Sequence, residues 1–138
     1  MSDTYLSANE GKLRVASAAV GGAALAPIVK LITADFSQVA GTAYTDLTFG
    51  AVSGAPDWTP TFGAASIVSG VSVADGGTHD FVCDGGGTPR TVYGSALVDV
   101  QSGPTYKLLS TVKFATPAVM SNNGDTLHGA ATLRLATE

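Results

Sequence analysis

His79, His128, the single Cys83 and the aspartates at Asp57, Asp75, Asp80 and Asp84 are where chemistry would have to originate in this chain of 138 residues. Residues two apart on a strand share a face, so His79, Phe81 and Cys83 project together. A His/Cys pair is half of a zinc ligand set. Zinc takes three or four protein ligands, and the only other histidine is His128. The pattern therefore points to a strand face, not to a metal centre. Asp75, Asp80 and Asp84 bracket that strand with Asp57 as a possible neighbour, but they lack the alternating ligands and terminal glutamate of a calcium loop. Gly85-Gly86-Gly87-Thr88-Pro89-Arg90 is glycine-rich without the Lys-Ser/Thr of a phosphate loop. No Gly-x-Ser-x-Gly elbow occurs, a triad would need His79 or His128, and glutamate stands only at Glu10 and Glu138. The sequence predicts no catalytic, cofactor-binding or metal-binding residue.

The residues that must position anything else read as strands. Charged side chains make up 13% of the chain against 45% hydrophobic, with 17 glycines, a composition of strands joined by turns in one domain. A surface so poor in charge is expected to be covered in part by a partner. Net charge is −4, and the basic residues Lys12, Arg14, Lys30, Arg90, Lys107, Lys113 and Arg134 form no stripe, which argues against nucleic acid. Cys83 alone can make no intrachain disulfide. The first residues show no basic-then-apolar leader. Val15 to Val29 is too short and too broken by Pro27 for a membrane span, so a protein made in the cytoplasm, with no membrane partner, is expected.

Thr91 to Asp99 is apolar on both faces, Val92, Ala96 and Val98 opposite Tyr93 and Leu97, as in a central strand covered on both sides. Tyr106 to Phe114 and Leu127 to Leu135 alternate apolar with polar residues, so three strands in succession read as a C-terminal meander. Turns are expected at Gln101–Pro104 and at Asn122–Asp125, whose Asn-Gly pair suits a hairpin. Further strands are expected at Pro27–Ala34, Tyr44–Phe49, Ala65–Val73 and His79–Cys83, with Asp75-Gly76-Gly77 as a turn. Residues 5–19 read either as the one helix, capped by Ser7 or Asn9 and stopped by Gly21-Gly22, or as an extended arm lying over a neighbour. Trp58, between Pro56 and Pro60, either plugs the end of a sandwich core or offers a carbohydrate-stacking face.

The order of short motifs carries a resemblance. Asn9-Glu10-Gly11 precedes the helical stretch, and Val29 to Thr33 forms the first strand. Ala34-Asp35-Phe36, Ala43-Tyr44 and Leu47-Thr48-Phe49 follow. Phe81, Asp84-Gly85-Gly86, Pro89, Thr91-Val92-Tyr93-Gly94, Leu108-Leu109, Phe114, Pro117 and Gly124-Asp125-Thr126-Leu127 come next. Over roughly Asn9 to Leu135 this resembles small virion proteins encoded among the structural genes of tailed bacteriophages. Cys83 and the small-residue run Ala16–Ala26 lie outside that pattern. The resemblance implies a capsid decoration (cement) subunit or a short head or tail fibre piece, located in the virion, with no catalytic residue.

Together these readings predict an all-β, mainly antiparallel sandwich or jelly-roll-like domain over 27–138, preceded by an arm or short helix over 1–26. The expected partners are the major capsid protein and the chain itself, as a homo-oligomer with a trimer favoured. Candidate contact residues are Tyr5, Leu6, Leu13, Val15, Leu25 and Trp58. The alternative is a fibre or receptor-binding module reading host glycans through Trp58 and nearby aspartates.

Overall fold

The computed structural model describes residues 4–21, 24–52, 54–69, 71–86, 89–100 and 106–136. Its elements are β1 (Thr4–Ser7), α1 (Asn9–Ala19), β2 (Pro27–Ile32), β3 (Ser66–Val68), β4 (Val71–Val82), β5 (Arg90–Asp99), β6 (Lys107–Met120) and β7 (Thr126–Ala136). The fold is all-β, with every strand pair antiparallel. One sheet has the order β1-β6-β5-β2 and the other β3-β4-β7.

β5 is the strand around which the layers assemble, and it is buried on both faces, as its two-sided apolar composition predicts. On one face Val92 and Leu97 join Val29, Leu31, Leu109, Phe81, Met120 and Ala131 in the core between the sheets. On the other, Ala96 and Val98 join Ile32, Leu108 and Ala8 beneath a cover of Phe36, Tyr44, Leu47 and Phe49. Simple alternation would have put Val92 with Ala96 and Val98. A register shift between Val92 and Gly94 accompanies that departure, and a second lies between Leu97 and Val98, across which β5 itself alternates regularly. The second shift leaves Leu109 as the extra residue on β6, which explains why it breaks the polar side of that strand's pattern.

Several expectations are corrected. The three C-terminal strands are not a meander: β5 and β6 pair, but β7 crosses to the other sheet and pairs with β4. The Asn-Gly turn carries the crossing. Gly124 N–H donates to Cys83 O and Cys83 N–H donates to Asp125 O, each at 2.8 Å, so the turn is fastened to the end of β4 before β7 begins. Tyr44–Phe49 is not a strand but a single 3-10 turn over Tyr44–Asp46. The Asp46 carboxylate accepts the Ala43 N–H at 2.9 Å and curls the chain. Tyr44, Leu47 and Phe49 can then all face the outer core, which an alternating strand forbids.

Asp75-Gly76-Gly77 is not a turn but a bulge inside the continuous strand β4. Gly77 sits at φ 81°, where only glycine is unstrained, and its N–H donates to Asp75 Oδ1 at 2.8 Å. The reversal falls instead at Ser69, φ 50°, which splits the expected strand Ala65–Val73 into β3 and the start of β4. The turn expected at Gln101–Pro104 and the helix stop at Gly22 lie outside the described residues.

The N-terminal segment is half strand and half helix. β1 pairs with Ser110–Lys113 of β6, and α1 then continues along the same strand. Neither Ser7 nor Asn9 caps the helix; its N-cap is Ala8, with no side-chain capping bond. Thr4 to Ala19 is thus woven into the first sheet and does not reach out from it. Among the described residues no helix is long and apolar enough to cross a membrane.

Candidate functional site

α1 presents the most sharply defined outward face. Leu13, Ala16, Ser17 and Val20 lie within an arc of about 100° at 3.6 residues per turn. All four are exposed, Leu13 by 74% and Val20 by 87%, and none is charged. The opposite arc, Gly11, Arg14, Val15 and Ala18, faces the body of the protein, where Val15 packs on the main core. The usual amphipathic arrangement is therefore supplemented by an apolar ridge on the solvent side.

Three interactions hold that ridge in place. Gly11 is buried against β6, and a Cβ there would stand 2.5 Å from Leu109 Cα and 2.6 Å from Leu108 O. Only glycine lets the helix approach the strand so closely. Glu10 Oε1 accepts the backbone N–H of Leu108 at 2.5 Å and that of Tyr44 at 2.8 Å. Its carboxylate takes over the edge of β6 where β1 has ended. Arg14 Nε lies 2.6 Å from Asp99 Oδ2, in a pair whose side chains are 10% and 0% exposed. Asp99 Oδ1 also accepts the Ala26 N–H at 2.8 Å, and Arg14 donates to Ala24 O at 3.1 Å. Helix, β5 and the lead-in to β2 are thereby tied to one buried charge pair.

The candidate contact residues are not brought to one surface. Leu13 is on the ridge. Tyr5 and Leu6 are half-buried in β1, opposite Val112 and Thr111. Val15, Leu25 and Trp58 pack inward against the main core. Trp58 exchanges backbone bonds with Val29, and its indole stacks on His79 with centroids 5.2 Å apart and planes 15° apart. It packs on the core beside the edge strand β2.

Sequence reasoning missed Val20 as an outward residue, and also Val39, Ile67, Val68 and Val119. Ile67 and Val68 carried a signal: two adjacent apolar residues on an alternating strand cannot both face one core. The loop bearing Val39 is fastened to the start of α1, where Asn9 N–H donates to Ala40 O at 2.7 Å.

The titratable residues singled out by type have local partners. Asp57 pairs with Lys30 at 2.7 Å, Asp80 pairs with His128 on the surface, and Asp84 Oδ1 accepts the Gly86 N–H at 2.8 Å. Cys83 is buried, and its Sγ accepts the Gly85 N–H at 3.4 Å. His79 lies between Trp58 and the edge of Phe81, 4.9 Å between centroids. Among the described residues no three of His, Cys, Asp and Glu converge as a metal site. The chain matches no protein-family model, no curated protein and no solved structure.

Proposed function

We propose that this chain is a virion structural protein of a tailed bacteriophage, a capsid decoration subunit that binds the major capsid protein lattice and braces the head. It acts as a binding module, in a symmetric homo-oligomer for which a trimer is favoured. The motif resemblance from Asn9 to Leu135 supports the class, and the low surface charge supports a partner-covered surface. The observation that carries the mode of contact is the rigid, uncharged ridge of Leu13 and Val20. A helix already locked to the sheet loses little freedom on binding, and a modest apolar contact repeated by symmetry accumulates avidity. The glycan-reading alternative draws less support, because the Trp58 ring is engaged with His79 and the core.

The test is co-sedimentation of the full chain with undecorated phage capsids. The double substitution Leu13→Asp with Val20→Asp places two charges on the ridge, where neither native side chain makes a core contact. Loss of capsid binding with unchanged thermal stability and oligomeric state is expected. Normal binding by that variant overturns the ridge as the contact.

A further inference from the structure

Between the two sheets, at the end where β2 begins, lies a cavity of about 250 Å³. Its floor is formed by Leu97 and Leu109, which are 4% and 2% exposed, and its half-buried walls include Leu25, Phe62, Ala74 and Leu133. Packed interiors leave few voids larger than a water molecule, so this space exceeds ordinary packing imperfection. No side chain lining it bears a hydrogen-bonding group. Ordered water needs two to four polar partners, and the lining side chains supply none.

Ala74 of β4 and Leu133 of β7 are register partners, and alternation sets Ser72 on the same face as Ala74. Ile67 of β3 stands opposite Ser72 and is 64% exposed. The inner face of the three-stranded sheet thus continues past the cavity, through Ser72, to an uncovered isoleucine.

We propose that this cavity is a binding site for a small apolar ligand, an aromatic ring or branched hydrocarbon group with no polar atom at its buried end. Size and chemistry both set that class. An enclosed apolar cavity of about 150 Å³ accepts benzene, and the larger, partly open one here has room for a substituted ring. A hydroxyl carried to the floor would give up its hydrogen bonds to water and find none. The site therefore discriminates by polarity and not by hydrogen-bond readout. This inference is independent of the role in a capsid.

The experiment titrates the full chain with toluene and with phenol, which are near-isosteric, and follows thermal unfolding and toluene-to-methyl cross-relaxation by NMR. Saturable toluene binding that raises the melting temperature is expected, with phenol at least tenfold weaker and cross-relaxation to methyls of Leu97, Leu109 and Leu133. Ala74→Phe fills the space from its wall and should abolish toluene binding without lowering the unliganded melting temperature. Absence of saturable toluene binding overturns the proposal. So does full toluene binding in folded Ala74→Phe, equal affinity for phenol, or cross-relaxation confined to methyls outside the lining residues. If Ala74→Phe does not fold, the cross-relaxation map of the unsubstituted chain decides the matter alone.

Discussion

Replacing Gly11 by alanine sets two physical effects directly against each other. Gly11 is the third residue of α1, and intrinsic propensity favours alanine there by up to about 1 kcal/mol. Packing opposes it. The new Cβ would meet Leu109 Cα at 2.5 Å, Leu108 O at 2.6 Å and Leu109 O at 2.8 Å, all backbone atoms near the start of β6. A side chain could rotate away; a paired strand cannot. Reaching ordinary carbon–carbon separation requires the helix to lift by about 1 Å. That movement lengthens the bonds from Leu108 and Tyr44 N–H to Glu10 and loosens the Arg14–Asp99 pair.

Overpacking of this kind costs about 1–3 kcal/mol, and each charge-assisted hydrogen bond is worth about 1.5–3 kcal/mol when fully lost. Partial loss of two such bonds, added to the clash and offset by propensity, leaves a net destabilisation of about 2–3 kcal/mol. For a chain of this size that lowers the melting temperature by roughly 6–9 °C. Urea unfolding followed by Trp58 fluorescence and far-ultraviolet circular dichroism should show a lower midpoint at an unchanged slope. A Gly11→Ala chain as stable as the original, or more so, refutes the close approach of α1 to β6 and leaves helix propensity as the governing effect.

Arg14→Ala removes the guanidinium from beside the buried Asp99 carboxylate and is expected to cost about 3–5 kcal/mol. Replacing Asp99 by Leu together with Arg14 by Met should cost less than the sum of the two single changes, measured in a denaturation cycle. Trp58→Ala removes the ring that stacks on His79 and packs on the core, so it should destabilise by about 2–4 kcal/mol, whereas a glycan platform would lose adsorption with stability intact. The Asp125 carboxyl is held below the ordinary aspartate range by the N–H groups of Asn122 and Ser121. Because its folded pKa lies below the unfolded value, its contribution is fully present above about pH 4 and is lost as pH falls through the depressed value. Carboxyl NMR should show a midpoint below that of free aspartate, and a midpoint at or above it would mean that the turn into β7 is not capped in this way.

What was legible in the sequence was burial by period; what was not was pairing. Thr91–Asp99 shows its two-sided burial in its residue types, because a strand between two layers has no wet face. Nothing in Leu127–Leu135 says whether the strand before it or β4 will be its neighbour, since an alternating strand offers the same edge to either. Gly-Gly after Asp75 marks a departure from regular backbone without saying whether the chain reverses or only bulges. The difference lies in a register with β7 formed more than fifty residues later. Tyr44–Phe49 alternates well, yet a carboxylate three residues after Ala43 closes a turn at its start, and only its end meets β2, through the Ile32–Phe49 bridge. At the N-terminus the sequence suggested helix or arm for one segment. The apolar residues there serve opposite surfaces, Val15 inward and Leu13 outward, and only the helix orientation separates them.

That orientation is set by groups with no apolar character, which is why hydrophobic patterning could not reveal it. β1 ends at Ser7 while β6 still has backbone donors along its edge. A further residue of strand would satisfy them at the cost of carrying the chain straight on. Ala8 N–H instead donates to Leu109 O, and the chain turns into a helix whose Glu10 reaches back to the Leu108 N–H. One carboxylate replaces a strand residue and, by also accepting from Tyr44, fastens the outer cover of the sheet to the same point. Arg14, one helical turn further, finds Asp99 at the end of β5. Two points of attachment fix the rotation of a helix about its axis as well as its position. Rotation decides whether Leu13 and Val20 meet solvent or core, so the ridge is specified by Glu10 and Arg14 more than by the residues that compose it. Charge reversal at Glu10 should then disable the ridge as surely as charging Leu13, although Glu10 itself need touch no partner.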